Sequence, residues 1–300
     1  MNSWETLGPV VAEVDGSIDG LRVVDYASRT AVRAGTDLVI VAPYHRSTPH
    51  TSLTSRSASA IAEENLRDAA AHAKRRHGRG LVIRTVAMEG SRVKVLQAAT
   101  REASVLVVAR SYDSATSGLI STQGNLALAA RIGRPVIVIP TGWQPMPTER
   151  GIAVGIDGTP LSLEAVEFAF RTASDRHANL TVVHSHHLAY HAPDGADGSW
   201  QERAGLTVSE TLAGWDEEYP HVKVTRLLTT RPVVATLARE SEDVDLIVVG
   251  AHTGPLPIGD PVARRTIAEM PCPVAIVAHH VTPAERDQHR REVDTAMPIN

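Results

Sequence analysis

Short, nearly continuous apolar runs alternate along the chain with longer stretches whose apolar residues recur at helical spacing. The runs at 10–14, 38–41, 81–86, 105–109 and 136–139 are rich in β-branched residues, as expected of strands buried on both faces of a parallel sheet. Between them, Leu21, Val24, Ala27 and Ala31 fall on one helical face, and residues 58–76 form a longer helical stretch. Five further runs, at 152–156, 180–184, 222–228, 246–250 and 274–277, repeat the scheme. Strand then helix, five times over, predicts an open α/β sheet wound on both faces. In such a sheet ligands bind at the carboxyl ends of the strands, where the strand order reverses.

The second set of runs is a copy of the first. Val14-Asp15-Gly16-Ser17 aligns with Ile156-Asp157-Gly158-Thr159, and the match continues without gaps through Leu21/Leu163, Val24/Val166, Tyr26/Phe168 and Arg29/Arg171. Farther on, residues 105–109 align with 246–250, and Pro135-Val136 with Pro273-Val274. The stretch from Ala109 to Pro135 is three residues longer than that from Gly250 to Pro273. A period of about 140 residues is far above that of a solenoid, so the chain is a tandem duplication of one domain. Residues 141–150, with Pro145 and Pro147, read as the linker, and the polar stretch 281–300 reads as a tail.

Composition narrows the function classes. Lys and Arg number 30 against 34 Asp and Glu, a formal charge of −4, so no general field gathers nucleic acid or an anionic membrane. Aromatic residues make up 4%, too few for base-stacking platforms. A lone cysteine, Cys272, excludes an intrachain disulfide and a cysteine zinc cluster; it is expected as a buried or interfacial thiol. Residues 1–13 hold no basic stretch leading into an apolar run, which predicts a cytoplasmic chain.

At the end of the first strand of each copy, Asp15-Gly16-Ser17 and Asp157-Gly158-Thr159 lead into a helix. Ser17 and Thr159 are expected to cap it, while Asp15 and Asp157 stand where a carboxylate can accept from a ribose hydroxyl or a base amine. These ends, together with Leu246-Ile247-Val248-Val249-Gly250-Ala251-His252 and the Pro271-Cys272-Pro273-Val274 entry to the last strand, resemble the universal stress protein family. The resemblance covers residues 8–141 and 149–278. It implies two tandem Rossmann-like α/β domains of the adenine nucleotide alpha-hydrolase-like kind, each a five-stranded parallel sheet of order 3-2-1-4-5 with helices on both faces. It also implies a regulatory or protective role in stress, frequent binding of ATP or AMP, and domain pairing through the last strand.

ATP-binding members are similar to one another in a loop after the fourth strand that carries G, two residues, G, nine residues and then G-S or G-T. Glycines let backbone approach phosphate, and the helix N-terminus adds N–H donors. Here those positions fall on Ala109, Tyr112, Thr122 and Gln123 in the first copy, and on Gly250, Thr253, Asp260 and Pro261 in the second, whose loop is shorter and also holds Gly254 and Gly259. Proline removes a donor and a carboxylate repels phosphate, so weak or lost ATP binding is expected. Two alternatives stand beside it: a competent ATP or AMP binder with a rearranged phosphate loop, and a slow nucleotide hydrolase on the same scaffold. The candidate nucleotide-binding residues are Asp15, Gly16, Ser17, Val41, Thr122, Asp157, Gly158, Thr159, His184, Gly250, His252, Thr253, Gly254 and Gly259.

His184, His186, His187, His191 and His252 follow strands of the second copy and are candidates for one rim, as metal ligands or as a pH-sensitive group. Surface histidines explain them as well, and no metal is predicted. The sequence holds no G-x-S-x-G elbow, P-loop, G-x-G-x-x-G or H-E-x-x-H motif, so no catalytic residue is assigned. Expected partners are an adenine nucleotide and an unidentified protein, with neither nucleic acid nor membrane. The last strands, 136–139 and 274–277, pair either within one chain or between two chains of a homodimer.

Overall fold

A computed structural model describes residues 8–45, 57–78, 80–110, 119–146, 150–159, 162–185, 199–252 and 261–279. The first half runs β1 (Val10–Glu13), α1 (Ile18–Ala34), β2 (Leu38–Tyr44), α2 (Ala58–His77), β3 (Ile83–Glu89), α3 (Arg92–Ala99), β4 (Val105–Ala109), α4 (Leu119–Ile132) and β5 (Val136–Ile139). The second runs β6 (Gly151–Ile156), α5 (Leu163–Arg176), β7 (Leu180–Ser185), α6 (Ser199–Thr211), α7 (Trp215–Glu218), β8 (Val224–Thr229), α8 (Val233–Glu240), β9 (Val244–His252), α9 (Pro261–Glu269) and β10 (Val274–His279). Among the described residues no helix is long and apolar enough to cross a membrane.

The ten strands among the described residues form one sheet, ordered β3-β2-β1-β4-β5-β10-β9-β6-β7-β8. Pairing is parallel within each half and antiparallel at the join, where Val274, Ala275 and Ile276 face Val138, Ile137 and Val136. Of the two pairings left open by the sequence, the one within the chain is present, and it covers an edge of each half-sheet that would otherwise expose unpaired backbone groups.

Side-chain alternation splits the core into two layers. Val10, Ala12, Leu38, Ile40, Ile152 and Val154 belong to one; Val11, Leu106, Val108, Ala153, Ile247 and Val249 belong to the other. Each layer runs through both halves, so the join is a continuation of the core. The third strand of each half departs from the expectation of burial on both faces: Arg84 and Thr85 of β3, and Thr225 and Arg226 of β8, are exposed. Among the described residues these strands are the outer edges of the sheet. A β-branched run in the sequence carries no information about lateral position in a sheet. β3 and β8 also begin two residues later than their apolar runs, because residues 81–82 and 222–223 precede the ladder.

Residues from both halves also meet on one face. Trp143, in the stretch read as linker, packs edge-on against Tyr26 at 5.6 Å. Arg176 of α5 lies over the Tyr26 ring at 5.4 Å and donates to its hydroxyl at 2.6 Å. Arg110, just past β4, donates through Nη1 to the carbonyls of Ile267, Ala268 and Met270 at 2.9, 2.9 and 3.2 Å, capping the C-terminus of α9 with a cation as the helix dipole favours.

Candidate functional site

In the second half the strand order reverses between β6 and β9, and the carboxyl ends there border a cleft of about 540 Å³. Gly155 and Ile156 of β6 and Val249 and Gly250 of β9 line it from the sheet; Val233 and Leu237 of α8 and Pro261, Val262 and Arg265 of α9 line it from the helices. Asp157, Ser162 and Ser185 bring polar atoms to it. An apolar lining with a few placed polar groups is the general character of small-molecule sites. Arg265 carries a positive charge on the wall, bonded to Glu269 at 2.9 Å. Pro261, the first residue of α9, has no N–H to offer an anion.

Asp157 is held by its own loop. Its Oδ1 accepts from the N–H of Thr159 at 2.9 Å, the hydroxyl of Thr159 at 2.8 Å and the hydroxyl of Ser162 at 2.6 Å, while the Asp157 N–H donates to Ser162 Oγ at 3.2 Å. The N-cap of the helix is Ser162 and not Thr159 as expected, since the helix starts later, at Leu163. Gly158 has φ +82°, and a Cβ there would lie 2.2 Å from Thr207 Cγ2 on α6, so both backbone conformation and space require glycine.

The first half keeps the loop, but the residues at the matching wall differ. Ser17 caps α1, accepting from the Gly20 N–H at 3.0 Å, and Asp15 Oδ1 accepts from the Ser17 N–H and hydroxyl at 3.0 and 2.6 Å. Gly16 has φ +85°, with the Asn65 side chain 2.6 Å from any added Cβ. At the position of Gly155, however, stands Glu13. The register proves the equivalence: Glu13 pairs with Val41 in β2, and Gly155 with the corresponding Val183 in β7. Arg92, the first residue of α3 as Val233 is of α8, donates Nε and Nη2 to the two Glu13 carboxylate oxygens, each at 2.6 Å. Arg92 Nη2 also reaches Asn125 Oδ1 at 3.1 Å, and Asn125 Nδ2 donates to the Ala109 carbonyl at 3.3 Å. Asn125 is buried, at 1% exposure. A charged pair and an amide thus meet where the second half has glycine, valine and Ala263.

Glu13, Arg92 and Asn125 escaped the sequence reading, which looked for glycines in the fourth-strand loop. The signal was in the internal alignment, where an acid and a base in one copy face Gly155 and Val233 in the other.

The remaining predicted residues are scattered. Val41 is wholly buried, and its carbonyl accepts from the Val14 N–H at 2.9 Å. His184 is buried as well, and its Nδ1 sits 3.2 Å from the Ile156 carbonyl; it braces the end of β6 and does not stand on an open rim. Gly250 borders the cleft. The side chains of Thr122 and His252 lie outside the described residues, as do Thr253, Gly254, Gly259, His186, His187 and His191. Among the described residues no three His, Cys, Asp or Glu side chains gather as a metal site. Cys272 is buried, and burial pushes its thiol up to about 12, which leaves it protonated and inert.

A second cavity, of about 140 Å³, lies between α1 and α5 near the amino ends of the strands, bordered by Arg33, Arg171 and Arg176. Burial, with Arg176 and Arg29 nearby, lowers Arg33 to about 10. The hydroxyls of Thr30 and Thr172 on its wall are committed to the helix carbonyls of Tyr26 and Phe168, and the cavity is far from the switch point.

Comparison with known proteins agrees with this architecture. The chain is 26% identical over 279 residues to universal stress protein Rv1996 of Mycobacterium tuberculosis, covering 84% of this chain and 88% of that one. It is 35% identical over 158 residues to universal stress protein Rv2005c of the same organism, a match covering 51% of this chain. That match spans about half the length of the relative, 53%. A solved universal stress protein from Archaeoglobus fulgidus superposes with a TM-score of 0.65 at 15% identity, over 91% of this chain and 98% of that one. A functionally unknown protein from Pseudomonas aeruginosa superposes with 0.64 at 14% identity, over 99% and 100%; at these identities both support the fold alone. The model of the Universal stress protein family matches twice, at residues 7–140 and 150–278, and the chain belongs to that family as a tandem member.

Proposed function

We propose that this chain is a regulatory or protective stress protein that binds an adenine nucleotide of low charge in its second-half cleft. The observation that carries the reading is the cleft of about 540 Å³ at the β6/β9 switch point, with Asp157 fixed at its rim. Its volume lies within the range of small-molecule sites, and a carboxylate at the end of a first strand suits a ribose hydroxyl or a base amine. Gly155 and Gly250 keep the cleft lining free of side chains at two positions. Arg265 matches a single phosphate. Against a triphosphate stand Pro261, which lacks a donor at the helix start, and the acidic Asp260 before it. The two structural units are residues 8–141 and 149–278, and the function resides in occupancy of the second, with no catalytic group assigned.

Isothermal titration of the full chain with AMP and with ATP tests this. AMP is expected to bind at least ~10-fold more tightly than ATP, a difference of about 1.4 kcal/mol. Tighter ATP binding would overturn the low-charge reading, and no heat with either nucleotide would overturn nucleotide binding itself.

A further inference from the structure

We infer that the first half carries a built-in occupant: the Glu13–Arg92–Asn125 network closes the first-half cleft, so the chain offers one ligand cleft and not two. The two halves have the same sheet register around this point, since Glu13 faces Val41 as Gly155 faces Val183. A side chain at the Gly155 position points toward Val233, Leu237 and Val249, within 3.4 to 3.9 Å of a Cβ. In the first half the side chain on that path is Glu13, met by both Nε and Nη2 of Arg92 at 2.6 Å. Two parallel charge-assisted hydrogen bonds fix both side chains in place. The Glu13 side chain is 13% exposed and that of Arg92 35%, so the pair lies in the mouth of the would-be cleft. Asn125 ties it to α4 and to the end of β4, elements that match the α9 and β9 walls of the open cleft. A ligand entering here would have to displace an ion pair and strand its charges.

Thiol accessibility reads this without any assumed ligand, because Cys272 is buried and its thiol is held up to about 12. Matching wall positions on the face of Glu13 and Gly155, Val108 and Val249, are replaced by cysteine one at a time in the full chain and alkylated with iodoacetamide. V249C is expected to react at least ~10-fold faster than V108C, reflecting access and not intrinsic thiol reactivity. In E13G/R92V, which installs the second-half residues, the V108C rate should rise to within ~3-fold of V249C. Equal rates without those substitutions, or a protected V108C with them, would overturn the inference. Should E13G/R92V fail to fold, the reciprocal G155E/V233R must slow V249C by ~10-fold, and an unchanged rate would overturn it. The AMP arm rests on the nucleotide reading above: the unaltered chain should take one AMP, and E13G/R92V two. Two AMP bound without substitution would count against the plug. Absence of AMP binding would count against the nucleotide reading alone, and the thiol rates would still decide this one.

Discussion

At one register position the first half holds Glu13, clamped by Arg92, and the second holds Gly155, beside Val233 on the wall of the cleft. Around that position the halves agree closely. Both end their first strand in Asp-Gly followed by a hydroxyl residue, and both set the glycine at φ near +80°. Both press the following helix pair against that turn, through Asn65 in one and Thr207 in the other. Duplication preserved the parts that shape the turn and let the parts that bound the cleft diverge. The divergence is directional as well, because Arg110 of the first half caps α9 of the second, whereas Ala251 stands at the matching place in the second half. The first half acts as a closed, supporting domain and the second as the open one.

The largest test of this comparison is at the shared turn. G158A places a methyl group 2.2 Å from Thr207 Cγ2 at a positive φ and should cost about 3 kcal/mol in thermal or urea unfolding. G16A meets the end of the Asn65 side chain, which can rotate away, and should cost about half as much. Equal costs would mean that the two turns are supported alike.

The plug comes next. R92V leaves the Glu13 carboxylate without its guanidinium and should destabilise the chain by about 2 kcal/mol, a buried-pair value reduced for the partial exposure of Arg92. Adding E13G should recover part of that loss, since both charges are then gone. A double-mutant cycle measures the coupling, and additive effects would show that the pair is not a unit.

How much of this was legible beforehand depends on range. Strand runs and helix faces were legible because alternation and helical periodicity are local properties of the chain, and the repeat was legible because Asp15-Gly16-Ser17 and Asp157-Gly158-Thr159 kept their spacing. The Ser17 cap followed from residue type, but the Thr159 cap did not, because the second-half helix starts three residues later, with Ser162 as its N-cap. The exposure of β3 and β8 depends on where a strand lies in the sheet, which its own residues do not encode. His184 looked like a rim residue and proved to brace a backbone carbonyl. The plug was hidden for the same reason, since Glu13 and Arg92 are brought together only by the stacking of α3 on the sheet.

R110M removes three hydrogen bonds from the C-terminus of α9 and should cost about 1.5 kcal/mol. Because the other end of α9 borders the cleft, AMP affinity should fall with it by ~3-fold. Unchanged affinity would mean that the first half does not support the second-half site.

The smallest effect compares helix ends. Gly35 closes α1 at φ 62°, while His177 closes α5 at φ 51° without the freedom of glycine. H177G should stabilise the chain by about 1 kcal/mol, raising Tm by about 2 °C. A fall in Tm would show that the His177 side chain contributes more than its backbone strain costs.

The contrast between the halves is tested most directly by the stoichiometry of AMP in calorimetric titration of the unaltered chain, D15A and D157A. One AMP per chain is expected, unchanged in D15A and abolished in D157A. Two AMP per chain, or binding lost in D15A and kept in D157A, would contradict it.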